Sequence, residues 1–147
     1  MDIITTILSV AKSVGVSGTL LVAICQHESL NFQKTYVRFD HGSPSLGICM
    51  VKEATAVQMG FEGKTEELMD TRTNAFYAAK YLKFQENQYG KDDWVSQVAA
   101  YNSGTYNPSS RVVGCPRNLK YLNLVKAKLP EELRSRLNCG NKEVANE

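Results

Sequence analysis

Nothing in this sequence approaches the roughly 20 consecutive apolar residues that span a bilayer, so no membrane-crossing helix is expected. Alternating apolar and polar strand patterns are nearly absent, which argues against a sheet-built fold. There is no internal repeat, low-complexity stretch or linker, so solenoids and multidomain arrays fall away. Charge of one sign is scarce: the net charge of +2 is too small for a nucleic-acid-binding domain, though it suits an anionic surface weakly. The four cysteines, Cys25, Cys49, Cys115 and Cys139, contain no Cys-x-x-Cys pair. A zinc site is therefore not expected, and neither is any other metal or cofactor. A secretory leader is also missing from the pattern. Asp2 stands where Lys or Arg belongs, Lys12 interrupts the apolar run, and no clean small-residue cleavage site follows. This points to synthesis in a cytoplasm, with a mature chain already stripped of its signal as the alternative. A reducing cytoplasm in turn predicts four free thiols, Cys25 acting as a small core hydrophobe. A Cys115–Cys139 bridge is the exception to look for.

What is present is ordinary for a soluble globular protein: 43% hydrophobic and 22% charged residues in 147. That length suits one domain with one core, expected over 1–140, followed by a polar tail at 141–147. Helical periodicity runs nearly throughout. Asp2 caps a first predicted helix with Ile3, Ile7, Val10, Ala11 and Val14 on one stripe, closed by Gly15. Ser17 caps a second, through Leu20, Leu21, Ala23, Ile24 and Cys25 to Glu28. Residues 31–46, with Gly42 and Pro44, read as a loop, holding at most a small hairpin between Tyr36 and Ile48. A short helix is predicted over Val51–Met59. A long one, capped by Asp70 and closed by Gly90, turns Ala75, Ala79, Leu82 and Tyr89 inward. Asp92 is expected to cap a helix carrying Trp94, Val95, Val98 and Ala99, and 102–116 to form a loop. Helices over Leu119–Leu129 and Pro130–Leu137 complete a mainly α fold.

Three places carry possible chemistry. Glu28 shares a stripe with Leu21, Ile24 and Cys25. A carboxyl at the end of an apolar stripe is partly desolvated, which favours its protonated form and suits a general acid. The plain alternative is a helix-terminal Glu turned to water, although an acid is disfavoured by the dipole there. Ser45-Leu46-Gly47-Ile48-Cys49-Met50 offers a glycine that lets backbone approach a ligand, or else an ordinary turn into a helix. Ala99-Ala100-Tyr101-Asn102-Ser103-Gly104 ends an apolar helix in a hydroxyl, a flat ring and an amide. Sugars bind such surfaces, but a simple C-cap reads the same way.

Taken in order, Glu-Ser, then Gly-hydrophobic-x-x, then Ala-Tyr-Asn-Ser-Gly resemble the family 1 lytic transglycosylases, whose soluble-lytic-transglycosylase-like domain is related to goose-type lysozyme. The resemblance covers about 17–129. Leu21-Val22-Ala23-Ile24 before His27-Glu28-Ser29 looks like the family's catalytic helix, and Thr73 to Leu82 like its long central helix. The resemblance implies a single-domain, lysozyme-like fold with a substrate groove. It implies Glu28 as the catalytic acid/base, with Ser29, Ser45, Gly47, Ile48, Met50, Tyr101 and Asn102 at the groove. The implied substrate is the peptidoglycan glycan strand, cut between N-acetylmuramic acid and N-acetylglucosamine with release of a 1,6-anhydro sugar.

Such a reaction needs one carboxylate. Asp40, Glu53 and Asp70 would be second carboxylates only in a hydrolase, and all three read as capping or surface charges. Met50 departs from the family's Gln and removes a polar contact, since a thioether is a weak acceptor. The loop before Gly47 is slightly long and carries His41, read as a surface residue more readily than a groove residue. The rival readings are a muramidase of the same fold, a wall-binding module without catalysis, and a cysteine hydrolase using Cys25 or Cys49. In the last, His27 would face away from Cys25 on the helix. A stand-alone catalytic domain resembles phage endolysins, made in the host cytoplasm and acting on the wall. A monomer is expected.

Overall fold

The computed structural model describes residues 2–40 and 42–140. His41 and the tail expected at 141–147 lie outside the described residues. The described part is mainly helical with one small antiparallel sheet, the lysozyme-like architecture expected. Two compact units divide the chain between Lys83 and Phe84.

In the first unit, local signals set the helix boundaries. The Asp2 carboxylate accepts the Thr5 N–H at 2.7 Å and starts α1, Ile3–Val14. Gly15 closes it at φ 92°, a left-handed position that glycine takes without steric cost. The Ser17 hydroxyl accepts the Leu20 N–H and starts α2, Gly18–Glu28. The helices pack on each other. Ile7, Val10 and Ala11 of α1 and Leu20, Leu21 and Ile24 of α2 are all no more than 2% exposed. Each large aliphatic side chain so buried contributes about 1.5–3 kcal/mol of apolar transfer energy.

The loop between the catalytic-helix motif and the next helix is more structured than its sequence suggests. Strands β1 (Tyr36–Asp40) and β2 (Ser43–Leu46) form the hairpin, pairing Tyr36 with Leu46 and Val37 with Ser45. The register slips between Val37 and Asp40. A third strand, β3 (Val51–Lys52), pairs with β2. The helix predicted from Val51 is therefore shorter: α3 spans Glu53–Gln58, because Val51 and Lys52 find strand partners first. A 3-10 turn, Thr65–Met69, follows without having been foreseen. Asp70 then caps α4 (Thr71–Tyr89), accepting the Thr73 N–H and hydroxyl. Those bonds hold its carboxyl below the ordinary carboxylate value.

In the second unit, α5 (Trp94–Ser103) is capped by Asp93, one residue beyond the expected Asp92; its carboxylate accepts the Ser96 N–H at 3.0 Å. The helix continues through Asn102 and Ser103, which had been assigned to the loop, and stops at Gly104, φ 86°. The segment after it is pinned by a Pro108–Pro116 bridge and the Cys115–Cys139 disulfide. Helix α6 spans Leu119–Lys126, and the last predicted helix is a 3-10 run, Glu131–Leu137, after Pro130. Trp94, Val98, Leu122, Val125, Leu129 and Leu137 form this unit's core. The Arg136 guanidinium lies 3.8 Å from the Trp94 ring centre.

The expectation of reduced thiols does not hold. Cys115–Cys139 is bridged, and so is Cys25–Cys49, leaving no free cysteine among the described residues. Cys25 is buried as a core residue should be, but with a covalent partner.

Candidate active site

Glu28 is the last residue of α2 and is half-buried. Leu21, Ile24 and Cys25, on its stripe, have no accessible surface. The chain then makes an unusual turn. Leu30, Asn31 and Phe32 take φ of 51°, 56° and 69°, all left-handed. Each such residue costs about 1–2 kcal/mol when it bears a side chain, so the turn needs bracing. Ser29 supplies it. Its hydroxyl donates to the Cys25 carbonyl at 2.8 Å and accepts the Phe32 N–H at 2.9 Å. The Asn31 N–H reaches back to the Gln26 carbonyl at 2.7 Å, and the Lys34 N–H to the Ser29 carbonyl at 2.8 Å. Backbone strain of this kind clusters at active sites, ligand clamps and switch regions.

The Gly47–Met50 turn is held as firmly. The Gly47 N–H donates to the Thr35 carbonyl at 2.8 Å, and the Met50 N–H to the Gly47 carbonyl at 3.0 Å. Gly47 itself has φ 80°. Asn74, completely buried on α4, grips the turn from below. Its Oδ1 accepts the Cys49 N–H at 2.8 Å. Its amide nitrogen donates to the carbonyls of Leu46 and Leu68, both at 2.7 Å. A methyl group at Gly47 would sit 2.2 Å from Asn74 Nδ2 and 2.6 Å from the Leu68 carbonyl oxygen. Only glycine fits. Asn74 lay within the central-helix motif but had been given no role. The available signal was a polar side chain one helical turn before Ala78, on the buried face of α4.

Of the residues named from sequence, Ser29 and Ser45 are 0% and 1% exposed and Ile48 5%. They have little accessible surface in this structure. Gly47 is buried too. Glu28 and Met50 keep accessible surface in the first unit. In the second, Tyr101 is half-buried and Asn102 exposed on the last turn of α5. Asn102 Oδ1 accepts from the Asn118 amide at 2.9 Å, and that amide also donates to the Ala99 carbonyl at 3.0 Å.

Two of the other candidate carboxylates have structural partners. Glu53 accepts a hydrogen bond from the Thr65 hydroxyl, and Asp70 caps α4. Only the backbone of Asp40 is described. Cys25 and Cys49, being bridged, cannot serve as nucleophiles in this state, which removes the cysteine-hydrolase reading. Among the described residues, no three His, Cys, Asp or Glu side chains converge on a metal position, and no helix is long and apolar enough to cross a membrane.

This fold, a helical body with a small sheet beside the helix that ends in Glu28, is that of the lysozyme-like lytic transglycosylases. The transglycosylase SLT domain model matches residues 6–113, and the chain belongs to that family. Its fold is similar to that of the lytic transglycosylase Slt from Pseudomonas aeruginosa, solved as an inactive glutamate-to-glutamine mutant. The TM-score is 0.59 at 18% identity, over 90% of this chain and 22% of that one. No curated protein sequence matches.

Proposed function

We propose that this chain cleaves the β-1,4 bond between N-acetylmuramic acid and N-acetylglucosamine in peptidoglycan, without water, using Glu28 as its only catalytic carboxyl. The carrying observation is the position of Glu28: half-buried at the end of an apolar helix, followed by a strained, braced turn, in a chain of the SLT family. Glu28 first donates its proton to the leaving glycosidic oxygen. The neighbouring acetamido group of the sugar stabilises the cationic centre, as in substrate-assisted glycosidases. The ionised Glu28 then takes the proton of the C6 hydroxyl as that oxygen closes onto C1. The product is a 1,6-anhydro sugar, and Glu28 ends protonated as it began. A hydrolase that does not use its substrate's own acetamido group would call on a second carboxylate about 5–10 Å away. The engagement of Glu53 and Asp70 elsewhere supports the single-carboxylate route.

Digestion of purified peptidoglycan followed by mass analysis tests this directly. Anhydro ends that resist borohydride reduction are expected. Reducible ends would replace the proposal with a muramidase, and intact glycan with retained binding would replace it with a wall-binding module. Glu28→Gln should abolish cleavage while leaving the melting transition in place. Substantial residual cleavage would rule out the single-carboxylate mechanism.

A further inference from the structure

The Cys25–Cys49 disulfide joins the two segments just described. Cys25 lies one helical turn before Glu28, and Cys49 is the third residue of the Gly47–Met50 turn. Both are 0% exposed. Cys25 carries two loads. Its sulfur holds Cys49, and its carbonyl accepts both the Ser29 N–H at 3.0 Å and the Ser29 hydroxyl at 2.8 Å. Ser29 in turn braces Phe32. On the other side, the Cys49 N–H is fixed to Asn74 of α4. One continuous chain of bonds thus runs from α4 through Asn74, Cys49, Cys25 and Ser29 to the strained turn behind Glu28. Its only covalent cross-link is the disulfide.

We infer that Cys25 and Cys49 are positioning residues for the glycan cleavage proposed above, and that activity follows their oxidation state. The inference rests on Glu28 being the acid/base. Without the bridge, α2 keeps its own backbone bonds and the Gly47–Met50 turn keeps Asn74. Each remains formed, but their mutual register is then held only by hydrogen bonds, such as that from the Gly47 N–H to the Thr35 carbonyl. Proton donation to a glycosidic oxygen depends on placement to within about an ångström, and misplacement of that size costs up to about a hundredfold in rate. The effect should therefore fall on kcat. A chain folded in a thiol-reducing cytosol would stay uncoupled there. It would reach full activity when the two thiols pass two electrons and two protons to a disulfide-bearing oxidant by thiol–disulfide exchange.

The test uses Cys115→Ala/Cys139→Ala as background, where Cys25–Cys49 is the only bridge left, with soluble glycan-strand fragments as substrate. The background protein should retain the kcat of the wild type. Refolding it in dithiothreitol should lower kcat about tenfold or more with KM within about threefold, and reoxidation should restore it. Cys25→Ala/Cys49→Ala should show the same low kcat, indifferent to reductant, with a cooperative melt. If that variant does not melt cooperatively, Cys25→Val/Cys49→Ala refills the buried space and replaces it. Folded, reduced or bridge-free protein with an unchanged kcat would overturn the inference. Glu28→Gln, assayed alongside, separates the failures. If it retains cleavage, the functional reading itself falls. If it is inactive while the bridge-free protein is fully active, only the role of the disulfide falls.

Discussion

Replacing Gly47 by alanine should be among the most damaging methyl additions available to this protein. Two costs combine. A side chain at φ 80° carries about 1–2 kcal/mol of backbone strain. The new Cβ would also lie 2.2 Å from Asn74 Nδ2 and 2.6 Å from a carbonyl oxygen, so Asn74 has to move. Asn74 is 0% exposed and makes three hydrogen bonds to backbone. Leaving one of those buried groups unsatisfied costs about 1–3 kcal/mol. The expected loss is about 2–5 kcal/mol, equivalent to about 6–15 °C in Tm for a chain of this size. Gly90→Ala is the matched control: its φ is 101°, but nothing lies within 4 Å of the added methyl. It should lose only the strain of about 1–2 kcal/mol. Urea denaturation of both variants, followed by circular dichroism, gives the two values. If Gly47→Ala loses no more than Gly90→Ala, the turn is not gripped by Asn74 as described.

Ser29→Ala removes a buried donor to Cys25 and the acceptor for Phe32; a stability loss of about 1–3 kcal/mol, with cleavage rate falling too, is expected from urea titration and a glycan assay. Unchanged stability would mean that the left-handed turn holds itself. For Asp70, the capping bonds lower the folded-state pKa below its unfolded value, so its stabilisation is present above about pH 4 and fades as pH falls through the lower folded value. Asp70→Asn should cap nearly as well at pH 7 and should lose less stability than the wild type between pH 5 and pH 2 in urea midpoints. An identical acid-side decline in both proteins would remove Asp70 from the account.

The parts of this molecule that were legible in sequence are those decided within one turn of chain. Asp2, Ser17 and Asp70 announce helix starts because a short acceptor side chain reaches an N–H three residues on. Gly15 and Gly90 announce ends because each follows the last helical residue with positive φ. Where two neighbours could do the same job, as Asp92 and Asp93, local pattern does not choose. Strand β3 is two residues long, too short for any alternation to register. Its existence depends on β2 lying alongside. The expectation of reduced thiols failed, although the one bridge named as its exception, Cys115–Cys139, is present; Cys25–Cys49 was missed for a similar reason. Both bridges close the same separation, 24 positions, so spacing carried no preference, and the argument from compartment said nothing of which chains meet in space. At the site, Glu28 stood out because a charge terminates an apolar stripe. Ser29 entered only through the family resemblance, although its partners, Cys25 and Phe32, lie within four residues of it. Asn74 was given no role, because a buried asparagine whose partners include backbone groups 25 and 28 positions away looks like any other.

The grip on the Gly47–Met50 turn has a consequence for what it can recognise. The N–H groups of Gly47, Cys49 and Met50 are all directed at acceptors inside the protein. Those three donors cannot also meet a sugar hydroxyl. The side chain this turn leaves partly exposed is Met50, a flexible thioether with little capacity to accept a hydrogen bond. In the glycan cleavage proposed above, discrimination among sugars on this side would rest on fit and dispersion against a deformable apolar surface. Such a surface tolerates variation in a ring substituent that a fixed amide would reject.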